Sequence, residues 1–346
     1  MKRLSISILI AMMAANTFAT DITVKPGPYA IEKALQQARE ERRLNGTENV
    51  TIRLAEGVYR LNQSIVVRPE DNGTKVVADG NAVVSGGVQI KGWKKHGRMY
   101  VADVPEFNGR PLEFRQLWVN GRKADRARDV ADFEKMYRIR SVDKKNEILY
   151  VPAAAVKKIQ GAKHAEMVLH EMWCIANLRI KNVKIQGDSA AVTFHQPESH
   201  IHFMHPWPSP MVTTDGHNSA FYLTNDKALL DEPGEWYLDA KEQKVYYMPR
   251  SGENMSTADV EVPAVETLMR VEGTPDNPVK GVSFEGITFS YATWMRPSIS
   301  GHAPLQAGMY MTEAYKLRPK MVRPNGDHKL DNQGWVGRPA SAVSVN

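Results

Sequence analysis

The sequence has almost no cysteine: Cys174 is the only one in 346 residues. A single thiol excludes an internal disulfide framework and any zinc site built from several cysteines. We interpret Cys174 as a buried apolar filler rather than a reactive thiol. Beyond the N-terminal residues the sequence also lacks any run of about twenty apolar residues, so it predicts no membrane-spanning helix.

A large net charge is absent as well. The chain has 45 Lys and Arg against 39 Asp and Glu, a formal charge of +6 that falls to +4 without Lys2 and Arg3. A surplus this small does not indicate a nucleic-acid-binding protein, and it mildly favours an acidic partner such as a uronate-rich glycan. Apolar residues make up 42% of the chain, enough for a hydrophobic core, and the length predicts two or three modules.

Residues 1–19 have the pattern of a secretory signal peptide. Lys2 and Arg3 precede an apolar run over residues 4–15, and a small-residue pattern closes the segment at Ala19. Export without a structural disulfide favours a bacterial periplasm or the cell exterior. We therefore expect a secreted or periplasmic protein from which residues 1–19 are removed.

Residues 20–92 predict one helix followed by short strands. Ile31, Ala34, Leu35 and Ala38 lie on one helical face, and a Gly after residue 45 supplies the stop. The β-branched runs that follow are separated by Gly and Asn turns; they are Val50–Leu54, Val58–Leu61, Ile65–Val67, Val76–Val77 and Val83–Val84. Such runs indicate successive faces of a stacked coil, whose open end the helix would cover.

Residues 93–270 lack the regular strand spacing of the stacked coil. They predict an inserted antiparallel β-rich subdomain, a small sandwich or barrel. Residues 117–123 are typical of a hairpin with a tight Asn-Gly turn, and residues 236–248 predict a second hairpin. Further strands are expected at residues 175–185 and 190–194.

The coil pattern returns over residues 271–346, where apolar residues bracket Glu285 and Gly286. A stacked coil needs about three turns and a terminal cap, and no capping segment follows Val345. We therefore expect an N-terminal portion of a longer protein whose later turns are missing. The alternative is a compact protein in which the insertion itself covers the end of the coil.

Three segments resemble known proteins. The helix with Ile52–Leu61 resembles the start of right-handed parallel β-helix proteins of the pectate-lyase-like superfamily. Phe114–Arg128 and Pro233–Asp239 resemble segments of secreted bacterial enzymes similar to glycoside hydrolase family 141, which includes α-L-fucosidases and xylan-active members. The resemblance implies an all-β fold: a right-handed parallel β-helix with an N-terminal capping α-helix, interrupted by the insertion. It also implies a role in polysaccharide degradation, with catalytic acids on later turns beyond Asn346.

The candidate substrate-binding residues are aromatic and polar side chains in loops. They are Trp294, His302, Gln306 and Trp335. Flat rings stack on sugar faces, although each ring would serve equally well as a loop anchor, as we interpret Trp207. The catalytic residues stay unknown, because the sequence does not show which acids face each other. Glu235 and Asp239 are interpreted as structural residues that place a turn and pair with nearby arginines.

The sequence predicts no metal and no cofactor. His200 and His202 would share one face of a strand, but prolines follow at once and no acidic ligand lies between them. The polar residues Asn325, Asp327, Asp331 and Asn332 match no EF-hand loop and are typical of turns.

Four arginines alternate near the first hairpin: Arg115, Arg122, Arg126 and Arg128. Their positive charges are suited to binding an acidic glycan. Alternating arginines on a hairpin are, however, more typical of a solvated face, and we expect that role here.

Three functions remain open. The first is a secreted glycoside hydrolase, α-L-fucosidase-like or xylan-active. The second is a calcium-dependent polysaccharide lyase, which would abstract a proton from a uronate. The third is a non-catalytic glycan-binding protein. None of the three requires nucleic acid or a membrane span.

We predict that the purified 346-residue chain is catalytically silent, because the implied catalytic acids lie beyond Asn346. The measurement is release of reducing sugar from xylan and fucosylated glycans. Turnover by the chain alone would contradict the prediction, and an unsaturated product that absorbs ultraviolet light would indicate a lyase.

Overall fold

The computed structural model describes residues 20–47, 49–162, 164–204, 208–314, 316–322, 328–331 and 336–346, and the predicted signal peptide lies outside them. Strands predominate, so the fold is mostly β. Within the described part of the chain, no helix has the length and apolar character needed to cross a membrane.

The longest helix, Ala30–Asn45, confirms the prediction for this segment. Its four predicted apolar residues are all buried, since their spacing places them on the face that meets the adjacent strands. The helix ends at Gly46, whose φ of 65° lies in the left-handed region that glycine adopts without strain. Arg39 binds the buried carboxylate of Asp71 through two N–H groups, at 2.8 and 2.7 Å, and so attaches the helix to the turn Pro69–Asp71.

The helix packs beside two sheets in which every pairing is parallel. The strands of the first are Thr20–Val24, Val50–Leu54, Thr74–Ser85 and Ser283–Ser290, with Gly57–Arg60 beside Thr74–Ser85. The strands of the second are Ile65–Val67, Met269–Val271 and Val343–Val345. Segments about two hundred residues apart along the chain therefore share one core.

One strand departs from the prediction. The two short runs expected around Val76 and Val83 form a single strand, Thr74–Ser85, without a break between them. Its first part pairs with Val50–Leu54 and its second part with Gly57–Arg60. Residues 79–81, which include the predicted Asp-Gly turn, have no partner in these pairings, and the register against Ser283–Ser290 shifts across them, so the strand is irregular at this point.

The central part of the chain forms two larger sheets. The eight-stranded sheet runs in the order Gly87–Gln89, Val260–Pro263, Leu117–Val119, Arg122–Arg126, Glu235–Asp239, Lys244–Tyr247, Met99–Asp103 and Lys94–His96. The seven-stranded sheet runs in the order Tyr137–Arg138, Ala220–Thr224, Glu166–His170, Ile175–Gln186, Ser189–Phe194, Ile148–Pro152 and Ser141–Asp143. All pairings are antiparallel except Arg122–Arg126 with Glu235–Asp239.

Both predicted hairpins are present in the eight-stranded sheet. In the first, Asn120 and Gly121 have φ values of 50° and 73°, the two positive angles of a tight hairpin turn. Below it, Trp236 is fully buried and stacks on Phe114 with ring centroids 5.2 Å apart. The predicted strands at residues 175–185 and 190–194 are also present, in the seven-stranded sheet.

The remaining elements are short. The two-stranded sheets pair Glu106–Phe107 with Arg110–Pro111, Tyr310–Met311 with Val336–Gly337, and Lys316–Val322 with His328–Asp331. The other α-helices are Ala153–Val156, Glu198–Met204 and Arg296–Ser300. The 3₁₀ turns besides Pro69–Asp71 are Phe133–Lys135, Lys157–Ile159, Lys227–Leu229 and Gln306–Gly308.

The packing of the first helix gives a stability prediction. Leu35 is 1% exposed, and Leu35→Ala is expected to lower the free energy of unfolding by about 2–5 kcal/mol, because it leaves a cavity against the parallel strands. Leu44→Ala, in the same helix but 66% exposed, is the matched control and should change it by less than about 0.5 kcal/mol. Urea unfolding followed by circular dichroism measures both, and equal losses would contradict the observed packing.

Candidate functional site

A cavity of about 900 Å³ lies at one end of the seven-stranded sheet. One wall is the four-residue tip 171–174, which joins strands Glu166–His170 and Ile175–Gln186 and is closed by a 2.9 Å hydrogen bond from Glu171 N to Cys174 O. The opposite wall is the segment 302–309. The walls are tied together because His302 N donates to Asn177 O at 2.7 Å and Asn177 N donates to His302 O at 2.9 Å.

The tip exposes apolar side chains at the cavity. Met172, Trp173 and Ile175 are 65%, 52% and 46% exposed, and all three line the cavity. An exposed, flat indole beside a pocket is the kind of surface on which a sugar ring stacks. Trp173 was not among the residues predicted from the sequence. Its one signal was a Met-Trp pair at a hairpin tip, where polar turn residues are expected.

Glu171 supplies a buried carboxyl group to the same wall. Its Oε2 accepts a hydrogen bond from Cys174 Sγ at 3.3 Å, and its Oε1 lies 3.5 Å from His202 Nε2. Burial raises the pKa of Glu171 to about 7. Near neutral pH the group is therefore protonated in a large fraction of molecules, and it can donate as well as accept a hydrogen bond.

Cys174 differs from the expected apolar filler, because it is only half-buried and lines the cavity. Burial, followed by the nearby charge of Glu171, raises the pKa of its thiol. The side chain is therefore a neutral hydrogen-bond donor to Glu171 and not a thiolate nucleophile.

Two of the predicted binding residues pack against each other. The ring centroids of Trp294 and His302 lie 5.3 Å apart, and Tyr310 contacts both rings. Burial, with the charges of Arg296 and Arg115, lowers the pKa of His302 to about 4, so its imidazole is neutral at physiological pH. A neutral imidazole both donates and accepts hydrogen bonds, as a ligand with several hydroxyl groups requires.

The four predicted residues therefore do not form one set. His302 and Gln306 line the cavity, whereas Trp294 packs against His302 and is not part of the wall. Trp335 lies outside the described residues, as does Trp207.

The predicted histidine pair is not on a strand. His200 and His202 belong to the helix Glu198–Met204, where residues two apart point in different directions. His200 Nδ1 lies 2.8 Å from Glu147 Oε1 at the surface, whereas His202 is buried beside Glu171. The described residues contain no cluster of three His, Cys, Asp or Glu side chains placed to hold a metal ion. Of the polar residues considered for calcium, Asn325, Asp327 and Asn332 lie outside the described residues.

The interpretation of the arginines as a solvated face is wrong for two of them. Arg115 donates to both oxygens of Glu166 at 3.1 and 2.8 Å, and Arg126 donates to both at 2.9 Å. Burial by itself would raise the pKa of Glu166, but the charges of Arg126 and Arg115 lower it to about 2. The carboxylate is therefore permanently ionised, and it joins the two large sheets. Arg122 is exposed, and Arg128 is partly exposed.

The turn-placing role predicted for Glu235 and Asp239 is confirmed, whereas the ion pairs among the described residues include no arginine side chain bound to either carboxylate. The buried carboxylate of Glu235 accepts hydrogen bonds from the backbone N–H groups of Arg128, Asp231 and Glu232. Asp239 accepts from the backbone N–H groups of Lys241 and Glu242 in the hairpin turn. Both side chains hold turns, so neither is placed as a catalytic acid.

Residues 97–250 match the family model of the GH141 insertion domain. A solved structure named "Glycoside hydrolase" is 56% identical in sequence with a TM-score of 0.88, over 94% of this chain and 59% of that one. A complex of XylC with xylose matches with 12% identity and a TM-score of 0.28, over 71% of this chain and 30% of that one, which is too weak a likeness to support an argument. No curated protein matches.

The chain is thus similar to a solved glycoside hydrolase over most of its length, and its residues 97–250 match the GH141 insertion domain. It spans 59% of the length of the solved glycoside hydrolase.

The raised pKa of Glu171 predicts a pH dependence of stability. Between the ordinary pKa of 4.5 and the folded value of about 7, the folded state binds more protons than the unfolded state, so the free energy of unfolding falls as pH rises through this window. Glu171→Gln removes this titration and should reduce the loss of stability between about pH 5 and about pH 8 by on the order of 3 kcal/mol.

Urea unfolding at the two pH values measures the effect. Glu242→Gln, at an exposed hairpin position, is the control and should leave the pH profile unchanged. A Glu171→Gln profile that runs parallel to the wild-type profile would show that Glu171 does not titrate in this window.

Proposed function

We propose that this chain is part of a secreted glycoside hydrolase, α-L-fucosidase-like or xylan-active, that acts on complex plant polysaccharide. In this proposal the cavity at the 171–174 tip binds a sugar ring. The export of the chain by cleavage after Ala19 belongs to the same proposal.

The composition of the cavity is the observation that carries the proposal. It combines the exposed indole of Trp173 with uncharged or partly protonated hydrogen-bonding groups on Glu171, His302 and Gln306. Arg138 is the one Lys or Arg among the described residues of the wall, and its guanidinium lies over the Phe133 ring. A sugar has one apolar face and a rim of hydroxyl groups that both donate and accept hydrogen bonds. An apolar pocket with a few polar groups is suited to such a ligand, and the likeness to a glycoside hydrolase supports this choice over other polyhydroxylated ligands.

The fold proposal is a right-handed parallel β-helix with the helix Ala30–Asn45 as its cap. Two sheets composed wholly of parallel pairings support it, as does the packing of the helix against their shared core. We propose that the two antiparallel sheets form the subdomain inserted between its turns.

We propose that catalysis requires carboxyl groups that are not part of the described cavity wall. Glycoside cleavage uses two carboxyl groups across the scissile bond. Among the described residues that line the cavity, Glu171 is the one carboxyl group. We therefore propose that the catalytic pair lies elsewhere in the longer protein. The presence of a single carboxyl group in the described wall also favours a second candidate function, that of a non-catalytic glycan-binding protein.

Trp173→Ala should weaken the binding of neutral xylo-oligosaccharides or fucosylated oligosaccharides about tenfold, because it removes the stacking surface. Isothermal titration calorimetry on the purified chain measures this change. Trp118→Ala, in the eight-stranded sheet and away from the cavity, is the control and should bind normally.

Two results would overturn the proposal: no detectable binding of either neutral glycan class by the wild-type chain, or equal weakening by the two tryptophan variants. Formation of an unsaturated, ultraviolet-absorbing product in the same incubations would instead identify a lyase.

A further inference from the structure

A second, smaller cleft of about 230 Å³ adjoins the ion pairs between the two large sheets. Its wall includes four cationic side chains near the first hairpin: Arg115, Lys123, Arg126 and Arg128. Asn177, Tyr222 and Thr224 of the seven-stranded sheet form the other side. Its volume is below that of most small-molecule pockets, so it would hold one sugar ring or a single charged group.

The cations of the cleft outnumber its anions. Glu166 binds both Arg115 and Arg126 and so neutralises one of these two charges. The exposed carboxylate of Asp125 lies 3.3 Å from Arg128 and belongs to the wall itself, whereas Glu166 lies behind it. Four positive and two negative side chains leave an excess of two positive charges.

One donor in this cluster is left without a partner. The Nε–H of Arg126 is buried and makes no hydrogen bond with the described residues, although both terminal nitrogens of that guanidinium are bonded to Glu166. Buried polar groups in native proteins are nearly always paired, so this donor calls for an explanation, and a ligand or water molecule beside Arg126 would supply its partner. Arg128 adds a second guanidinium. Its Nη2 donates a hydrogen bond to Asp125, and the side chain is partly exposed to solvent.

We propose that this cleft binds the carboxylate of an acidic sugar, a hexuronate residue of the glycan. The planar guanidinium groups match the two oxygens of a carboxylate, and the Tyr222 side chain lies beside them where the ring hydroxyls of the same sugar would be. This inference rests on the proposed function for its ligand class, and it adds a strongly cationic subsite beside the cavity.

The position of the cleft relative to the cavity supports a shared ligand. Asn177 lines the cleft, and its backbone forms both hydrogen bonds to His302, which lines the cavity. The two sites therefore lie on either side of one pair of residues. An oligosaccharide with one uronate would place its charged residue in the cleft and a neutral neighbour in the cavity.

The test uses the purified chain and three probes: a methyl hexuronide, the matching neutral methyl hexoside and inorganic phosphate. We expect the hexuronide to bind more tightly than the hexoside and than phosphate, and to weaken as the salt concentration is raised. Arg128→Gln should weaken hexuronide binding about tenfold by removing one charged donor. Arg122→Gln removes the same charge from an exposed position at the start of the strand Arg122–Arg126, outside the cleft, and should bind as the wild type does.

Equal weakening by the two arginine variants, equal binding of hexuronide and hexoside, or tighter binding of phosphate would each overturn the assignment. Trp173→Ala separates this proposal from the preceding one, because it should impair binding of the neutral glycans and leave hexuronide binding intact. Hexuronide binding that depends on Arg128 in a chain that binds no neutral glycan would support the cleft while refuting the cavity.

Discussion

The carboxylate of Glu166, held between Arg115 and Arg126, is the interaction on which the arrangement of both candidate sites depends. Arg126 belongs to the eight-stranded sheet and Glu166 to the seven-stranded sheet, so their ion pair crosses between the sheets. Arg115 also donates to Ser298 Oγ at 3.2 Å and thereby reaches the helix Arg296–Ser300. A buried carboxylate left without one of its partners is strongly unfavourable, so the three parts are held in one geometry.

Burial determines the charge of each ionisable group at the sites, and it acts in opposite directions on acids and bases. The Glu171 carboxyl, with a thiol as its hydrogen-bond donor, has its pKa raised, whereas the imidazole of His302 has its pKa lowered. Glu166 is equally buried but faces two guanidinium groups, and its pKa is lowered. The result is a cavity in which Arg138 is the one Lys or Arg of the described wall, beside a cleft with four cationic side chains. This division is suited to a glycan that carries both neutral and acidic residues.

The likeness to a glycoside hydrolase concerns nearly the whole of this chain but only part of the other protein. The composition of the cavity wall agrees with that likeness. The described wall offers a stacking surface and hydrogen-bonding groups, yet one carboxyl group where hydrolysis needs two. Binding is therefore the property that these residues support directly.

Local patterns in the sequence determined the elements whose hydrogen bonds close within a few residues. The helix Ala30–Asn45 and the Asn120–Gly121 hairpin are of this kind, because periodicity and turn geometry act over short distances. Only the tertiary structure decided the surroundings of Arg126, whose partner Glu166 lies 40 residues away, and the joining of two predicted runs into the strand Thr74–Ser85. The same holds for Trp173 and Glu171, since a cavity wall assembled from distant segments leaves no periodic signal in any one of them.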